Sequence, residues 1–198
     1  GRISYADLGI WKDEHIPALK EIVDFVHQQG SLIGIQLAHA GRKASTDKPW
    51  CSRAQFAPNH PNGWQTEAPS PIPFKSTDVP PVELSIKEIQ QLVVAFRDAA
   101  QRSVEAGYDI IEIHAAHGYL IHQFLSPLSN QRTDSYGGSF ENRARFLIEI
   151  IETVNSVLTT QSLWLRISAT DWAEGGWDIE ETVRLGHLVK NFGVEVMD

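Results

Sequence analysis

The chain has 198 residues, of which 42% are hydrophobic and 21% are charged, and its formal net charge at pH 7 is -8. This composition is typical of a globular protein that can bury a sizeable core, and the acidic balance argues against a nucleic-acid partner, which would require a basic face. The sequence has no apolar run of about 18 residues, so no membrane span is predicted. The single cysteine, Cys51, excludes an internal disulfide and favours a reducing, cytoplasmic location.

Four amphipathic helices are predicted in chain order, because apolar residues recur along four segments at the spacing of one helix face. The apolar stripes of these segments begin at Ile16, Ile86, Phe146 and Ile179. Ser85 with Glu88, and Asp178 with Glu181, have the spacing of a capping box at a helix start. The third helix is predicted to begin near Ser139.

A short apolar run that is typical of a strand follows each predicted helix. The runs are SLIGIQL, YDIIEIH, SLWLRIS and VEVM. Three of them come directly after a glycine, at Gly30, Gly107 and Gly193, and a left-handed glycine commonly closes a helix. Alternating helices and strands predict an α/β fold with parallel strands and crossover helices.

Residues 44–84 interrupt this alternation after the first predicted strand. They contain eight of the ten prolines, together with Trp50 and Trp64. We predict a long irregular loop, and ordered loops of this length are often functional lids. A surface insertion without a function explains the same composition equally well.

Two architectures with parallel strands fit the predicted order: an open nucleotide-binding sheet and a (β/α)8 barrel. The open sheet usually carries G-x-G-x-x-G after its first strand, and no G-x-G occurs in this chain. Each longer strand has one aliphatic face and, on the other face, a polar residue near its carboxyl end, namely Gln36, His114 or Arg166. In a barrel these three side chains converge on the active-site mouth. Glu112 is predicted to pair with Arg166 on the neighbouring strand.

The segment IIEIHAAHGYLIHQF, residues 111–125, places two histidines at the exit of a buried strand. His114 and His117 could be metal ligands, but zinc requires three or four donors. The nearby candidates, Glu112 and His122, do not complete a familiar zinc spacing. A pair of imidazoles that can both donate hydrogen bonds is suited to gripping one oxygen of a substrate.

Three further side chains are candidates for a redox site. Tyr119 has a phenol with a reference pKa of about 10, which suits an acid that protonates carbon, although a packed structural tyrosine is the alternative. A buried guanidinium such as that of Arg166 needs an anion or an acceptor-rich partner. The amide of Gln36 offers a donor and an acceptor. Together Gln36 and Arg166 suit the edge of a planar heterocycle such as flavin.

Three segments together resemble the old yellow enzyme family: IGIQLAHAGRK, IEIHAAHGYLIHQFLSPLSNQRTDSYGGSFENRARF and LRISATDW. More narrowly they resemble its NADPH dehydrogenase and xenobiotic reductase branch, which has a His–His substrate pair. The resemblance implies a TIM barrel, the (β/α)8 fold, with FMN as cofactor and NADPH as reductant. A full barrel needs about 250 residues, so residues 1–198 are predicted to be about half of a single flavin-binding domain, without its N-terminal and C-terminal strands.

The resemblance also implies an activity, the reduction of the activated C=C bond of an α,β-unsaturated carbonyl or nitro compound. Gln36 would contact the flavin pyrimidine, and Arg166 would lie near flavin N1, where positive charge stabilises the reduced ring. The substrate oxygen would be held by the segment His114, Ala115, Ala116 and His117. Tyr119 would give a proton to the α-carbon while flavin N5 gives hydride to the β-carbon.

The run NQRTDSYGGSFENR is expected to be structural, with Arg132, Asp134 and Arg143 as charge partners that fix a loop. The sequence leaves open whether three residues after the first strand frame the pocket or tie down the long loop: His39, Arg42 and Lys43. Two other functions also stay open, a metal-dependent barrel hydrolase and a truncated, non-catalytic copy. The natural substrate, homo-oligomer formation and an iron–sulfur cluster beyond Asp198 are not determined by these residues.

Overall fold

The computed structural model describes all residues, 1–198, and they form both helices and strands. In chain order the elements are α1 (Ile16–Gln28), β1 (Gly34–Leu37), β2 (Glu67–Ala68), β3 (Val82–Glu83), α2 (Ile86–Ala106), β4 (Ile110–Ala115), α3 (Leu120–Leu125), α4 (Phe140–Asn155), β5 (Ser162–Ile167), α5 (Ile179–Val189) and β6 (Val196–Met197). All four predicted helices are present, and α3 is an additional short helix directly after β4. None of the helices has the length and hydropathy that a membrane crossing requires.

The helix ends confirm the predicted helix starts, but Glu181 does not complete the predicted capping box with Asp178, because its carboxylate binds Arg143. Ser85 and Glu88 form a reciprocal capping box at the start of α2. Ser139 and Asp178 each accept a backbone N–H from the third residue of their helix, at the starts of α4 and α5. The three glycines that follow helical segments, Gly30, Gly107 and Gly193, have φ angles of 76°, 93° and 88°.

Four strands form one parallel sheet in the order β1-β4-β5-β6. The register places Gln36 of β1 opposite Glu112 of β4, and His114 of β4 opposite Arg166 of β5. Because side chains alternate between the two faces of a strand, Gln36, His114 and Arg166 all lie on the same face of the sheet.

The opposite face of the sheet packs against the helices and forms the core. Ile111, Ile113, Leu163 and Leu165 project from it and are at most 1% exposed. Full burial of each such side chain contributes about 1.5–3 kcal/mol of hydrophobic stabilisation. Four parallel strands with helices covering one aliphatic face are the arrangement of part of a (β/α)8 barrel, so the helix-free face, which carries the polar residues, corresponds to the barrel interior.

The proline-rich segment 44–84 is more ordered than the predicted irregular loop. Its strands β2 and β3 pair in parallel near the end of the segment. Arg132, which is only 7% exposed, donates hydrogen bonds to the carbonyl oxygens of Pro69 (3.1 Å) and Leu84 (2.6 Å). Arg132 also binds Asp134 through two nitrogens. The expected loop-fixing role of Arg132 and Asp134 is confirmed, and Arg132 holds the segment against the body of the chain.

Candidate active site

His114, His117 and Tyr119 come together at the carboxyl end of β4. His114 is in the strand and 5% exposed, His117 follows in the connecting turn, and Tyr119 is the N-cap residue of α3. The His114 ring lies 5.0 Å from the His117 ring and 5.2 Å from the Tyr119 ring, centroid to centroid, with both contacts edge-on. The two imidazoles and the phenol therefore form one cluster centred on His114.

Hydrogen bonds indicate where the protons of the two imidazoles lie. The backbone N–H of Ala116 donates to Nδ1 of His114 (3.3 Å), so the proton of a neutral His114 is on Nε2. Nε2 of His114 is 3.3 Å from Nδ1 of His117, and it can therefore donate to that atom. The proton of a neutral His117 is then on its own Nε2, which remains available as a donor to a ligand.

The surroundings of both imidazoles favour the neutral form, although only His114 is buried and His117 is exposed. The pKa of His114 is lowered from 6.5 to about 4, first by burial and then by the nearby charges of His117 and Arg166. The pKa of His117 is also lowered, first by partial desolvation and then by Arg166 and Lys43. At pH 7 the pair therefore presents hydrogen-bond donors without holding two adjacent positive charges.

Tyr119 keeps its proton for the same physical reason. Burial is the largest cause that raises the pKa of its phenol, and the charge of Asp7 adds to the effect. Above the ring, Nζ of Lys43 lies 4.9 Å from the ring centroid. The phenol is therefore a neutral acid at physiological pH.

The turn that carries His117 has an uncommon backbone. His117 and Gly118 have φ angles of 59° and 70°, two consecutive left-handed residues, and a non-glycine residue pays about 1–3 kcal/mol for a sparsely populated conformation. The His117 N–H donates to Oγ of Ser168 (2.8 Å), and Nζ of Lys43 donates to the His117 carbonyl oxygen (2.8 Å). Side chains from two other segments thus hold this peptide.

Gln36 and Arg166 lie on the same face as the histidines, but the predicted pairing of Glu112 with Arg166 is wrong. Nε2 of Gln36 donates to Glu112 (2.5 Å), while Nε of Arg166 contacts Asp198 (3.1 Å). The register explains this, because Glu112 is directly opposite Gln36, and Arg166 is two residues farther along the barrel axis.

The donor set of these two side chains fits the pyrimidine edge of a flavin. The side-chain nitrogen of Gln36 donates to Glu112, which leaves the side-chain carbonyl oxygen available as an acceptor. Arg166 uses Nε, which leaves its terminal nitrogens as donors, and its side chain is 43% exposed. A flavin pyrimidine ring offers one N–H between two carbonyl oxygens, so an amide and a guanidinium on one face are suitable partners.

A buried histidine–carboxylate contact beside the cluster was not predicted. Nε2 of His122 lies 2.6 Å from Oδ1 of Asp171, and the other Asp171 oxygen accepts from Ser126 (2.5 Å) and the Trp177 N–H (2.8 Å). Burial alone would raise the pKa of Asp171, but these hydrogen bonds outweigh it and lower the pKa to about 2. The sequence suggests His122 only as a metal ligand, because its partner Asp171 lies 49 residues away.

The histidines belong neither to a metal cluster nor to the cleft beside Gln36. The chain has no group of three His, Cys, Asp or Glu side chains arranged to hold a metal ion. A cleft of about 570 Å³ is bordered by Gln36, Trp11 and Leu92 and does not include His114, His117 or Tyr119. The chemistry of the side chains, more than the size of the cleft, therefore identifies the candidate site.

Comparison with known sequences identifies a protein family and several relatives that match this chain. The model of the NADH:flavin oxidoreductase / NADH oxidase family matches residues 1–198. An NADPH dehydrogenase of Bacillus subtilis (strain 168) is 48% identical over 198 residues, covering 100% of this chain and 54% of that protein. An NADH:flavin oxidoreductase of Gibberella zeae is 45% identical, covering 100% of this chain and 51% of that protein. The chain thus spans about half the length of these relatives.

Solved structures of related fold superpose on nearly the whole chain. A 2-naphthoyl-CoA reductase in complex with 2-naphthoyl-CoA superposes with a TM-score of 0.84 at 28% identity, over 99% of this chain and 30% of that chain. Morphinone reductase in complex with tetrahydroNAD superposes with a TM-score of 0.80 at 31% identity, over 96% of this chain and 54% of that chain. These likenesses confirm the predicted fold class, part of a (β/α)8 TIM barrel.

Proposed function

Because the chain belongs to the NADH:flavin oxidoreductase / NADH oxidase family, the old yellow enzyme family that its motifs resemble, we propose that the protein is an FMN-dependent NADPH oxidoreductase of the ene-reductase type. Its substrates are small molecules, α,β-unsaturated carbonyl or nitro compounds whose activated C=C bond is reduced. The observation that carries the proposal is the cluster of His114, His117 and Tyr119 on the sheet face that also carries Gln36 and Arg166.

FMN is the cofactor that the family implies, and residues 1–198 belong, in this proposal, to a single flavin-binding barrel domain. When bound, FMN supplies hydride transfer between NADPH and the substrate. Gln36 would hold the pyrimidine edge through its amide. Arg166 would place positive charge beside the ring, which favours the electron-rich reduced form. The donor and acceptor groups that both side chains leave free support this assignment.

The histidine pair would bind the carbonyl or nitro oxygen of the substrate. Each neutral imidazole carries its proton on Nε2. When a substrate oxygen replaces Nδ1 of His117 as the acceptor for His114, both N–H groups can point at that oxygen. Hydrogen bonds to that oxygen withdraw electrons and polarise the conjugated double bond. Ala115 and Ala116 are fully buried, and Ala115 is part of the core, so they space the histidines and do not contact the substrate through their side chains.

Tyr119 would act as the general acid. Its raised pKa keeps the phenol protonated, and its ring lies beside His114, where the substrate oxygen would bind. The phenol would deliver a proton to the α-carbon, the position that becomes basic as the double bond accepts hydride at the β-carbon.

The direct test is turnover with a simple enone. The full-length protein, loaded with FMN, would be mixed with NADPH and 2-cyclohexenone under anaerobic conditions. We expect one equivalent of cyclohexanone for each NADPH oxidised. Oxidation of NADPH without formation of the saturated ketone would show that the C=C bond is not the acceptor and would contradict the ene-reductase proposal.

A further inference from the structure

We propose that Lys43 is a positioning residue for the substrate-binding histidines: its ammonium group holds the left-handed turn at His117 and Gly118, and so keeps the His117 ring beside His114. This role rests on the proposed function of the histidine pair. Lys43 follows β1, while the turn follows β4, so the contact joins the carboxyl ends of two neighbouring strands.

The contacts of Lys43 place its ammonium across the turn. Nζ donates a hydrogen bond of 2.8 Å to the His117 carbonyl oxygen. The same atom lies 4.9 Å from the ring centroid of Tyr119 and 4.6 Å from that of Phe74, which belongs to the proline-rich segment. Two aromatic rings thus attract one cation, and their positions restrict the directions that the long side chain can take.

The backbone of the turn explains why such a contact is needed. The φ angle of 59° at His117 is uncommon for a residue with a side chain, and it persists only where the surroundings over-determine it. Ser168 accepts from the N–H of His117, and Lys43 donates to its carbonyl oxygen. With both groups held, the residue cannot relax to a negative φ, which would turn its ring away from His114 and break their 3.3 Å contact.

Packing against the turn is close but not strained. A Cβ atom added at Gly118 would lie 3.7 Å from Cδ of Lys43 and 3.8 Å from Nζ, which is ordinary van der Waals contact. The side chain therefore covers the turn along its length. A guanidinium at this position can still donate to the His117 carbonyl, whereas a methionine keeps the aliphatic packing and loses the donor.

The test compares Lys43→Met, Lys43→Arg and the surface control Lys20→Met in the full-length protein loaded with FMN. Lys20 is on α1 and pairs only with Asp24 on the same helix. The readout is the dissociation constant of phenol, measured from the change that it causes in the flavin absorbance spectrum, with the thermal midpoint measured in parallel. We expect about tenfold weaker phenol binding in Lys43→Met, and affinity within about threefold of wild type in Lys43→Arg and Lys20→Met.

Phenol affinity that is unchanged in Lys43→Met would overturn the proposal. So would equal weakening in Lys43→Met and Lys43→Arg, because packing alone and not the donor would then matter. If the methionine variant does not fold, Lys43→Leu, which also lacks a donor, takes its place. Phenol binding needs no turnover, so failure of the wild type to reduce enones would contradict the proposed function alone.

Discussion

At the scale of single residues, burial determines the chemistry of the cluster at the end of β4. It lowers the pKa of His114 to about 4 and raises the pKa of Tyr119. Both changes favour the neutral form of the side chain. The site therefore combines two hydrogen-bond donors for an oxygen with one acid, all uncharged at pH 7, which suits polarising an enone and then protonating carbon.

Removing the phenol is expected to affect only one half of the reaction. In Tyr119→Phe we expect reoxidation of the reduced protein by 2-cyclohexenone to slow by about 100-fold or more, because a general acid contributes about 10²–10⁴ in rate. Reduction by NADPH needs no proton from Tyr119 and is expected to stay near the wild-type rate. Stopped-flow absorbance measures the two half-reactions separately, and equal losses in both would contradict the acid role.

Removing an imidazole is expected to weaken ligand binding. In His114→Ala the substrate oxygen loses one donor, and we expect about tenfold weaker binding of phenol, since a hydrogen bond contributes about 1–1.5 kcal/mol. Titration of the flavin spectrum with phenol measures this, with His187→Ala as control because His187 is an exposed residue of α5. Equal affinity in wild type and His114→Ala would exclude the oxygen-binding role.

The sequence identifies the residues of the site better than their partners. Strand alternation alone places Gln36, His114 and Arg166 on one face, because parity does not depend on distant contacts. The partner of Glu112 depends on the strand register, which the sequence does not specify. The sequence does not specify the role of Lys43 for a related reason: its acceptor is the carbonyl of a residue 74 positions away.

At the scale of elements, the segments after β4 and β5 are joined side by side. Asp171 follows β5 and accepts hydrogen bonds from His122, within α3, and from Ser126, the residue that follows α3. His117 is tied to the same segment through Ser168. The orientation of α3, and with it the Tyr119 position at its start, therefore depends on the loop that follows β5.

Loss of the buried carboxylate is expected to destabilise the protein. In Asp171→Ala we expect the free energy of unfolding to fall by about 3 kcal/mol, because His122, Ser126 and the Trp177 N–H lose their charged hydrogen-bond acceptor. The matched control is Asp98→Ala, whose carboxylate is 41% exposed and pairs with the adjacent Arg97, and which should change stability by less than about 1 kcal/mol. Urea unfolding measures the free energy of unfolding of both variants. An equal decrease in both would contradict a stabilising role of the Asp171 contacts.

Local sequence signals predict which helices and strands form. Contacts between residues distant in sequence determine how long the strands are and how loops are ordered. Ser85, Ser139 and Asp178 fix helix starts through contacts within three residues, which the sequence displays directly. The strand predicted within SLIGIQL is limited to Gly34–Leu37, because strand length depends on where the neighbouring strand pairs. The order within residues 44–84 depends on Arg132, which is far away in the sequence and could not be inferred from the prolines.

At the scale of the whole molecule, half of a barrel presents one face of its sheet to a cofactor. The helices cover the aliphatic side, and Gln36, His114 and Arg166 remain on the other. The fold class follows from the helix–strand alternation and strand parity. The dimensions of the complete site do not follow, because the chain covers 54% of a relative such as the Bacillus subtilis NADPH dehydrogenase.

Stability is expected to fall in two stages as the pH decreases. The folded pKa values of His114, about 4, and of His39, about 3, lie below the ordinary 6.5, so the unfolded chain binds protons first and stability declines between pH 6.5 and 3. The folded pKa of Asp171, about 2, lies below 3.8, so its contribution is complete above pH 3.8 and is lost toward pH 2. Urea unfolding across this pH range should show a smaller loss of stability in the higher-pH stage for His114→Gln and in the lower-pH stage for Asp171→Asn. Stability profiles that match wild type would contradict these pKa shifts.

The central claim is that Gln36, His114 and Arg166 face one bound flavin, and the absorbance spectrum of the full-length protein tests it most directly. After reconstitution with FMN and removal of free flavin, we predict that the protein retains the visible absorbance of oxidised flavin and that anaerobic NADPH bleaches it. Arg166→Ala should retain less flavin than wild type. A protein that retains no flavin, or whose flavin spectrum NADPH leaves unchanged, would contradict the claim.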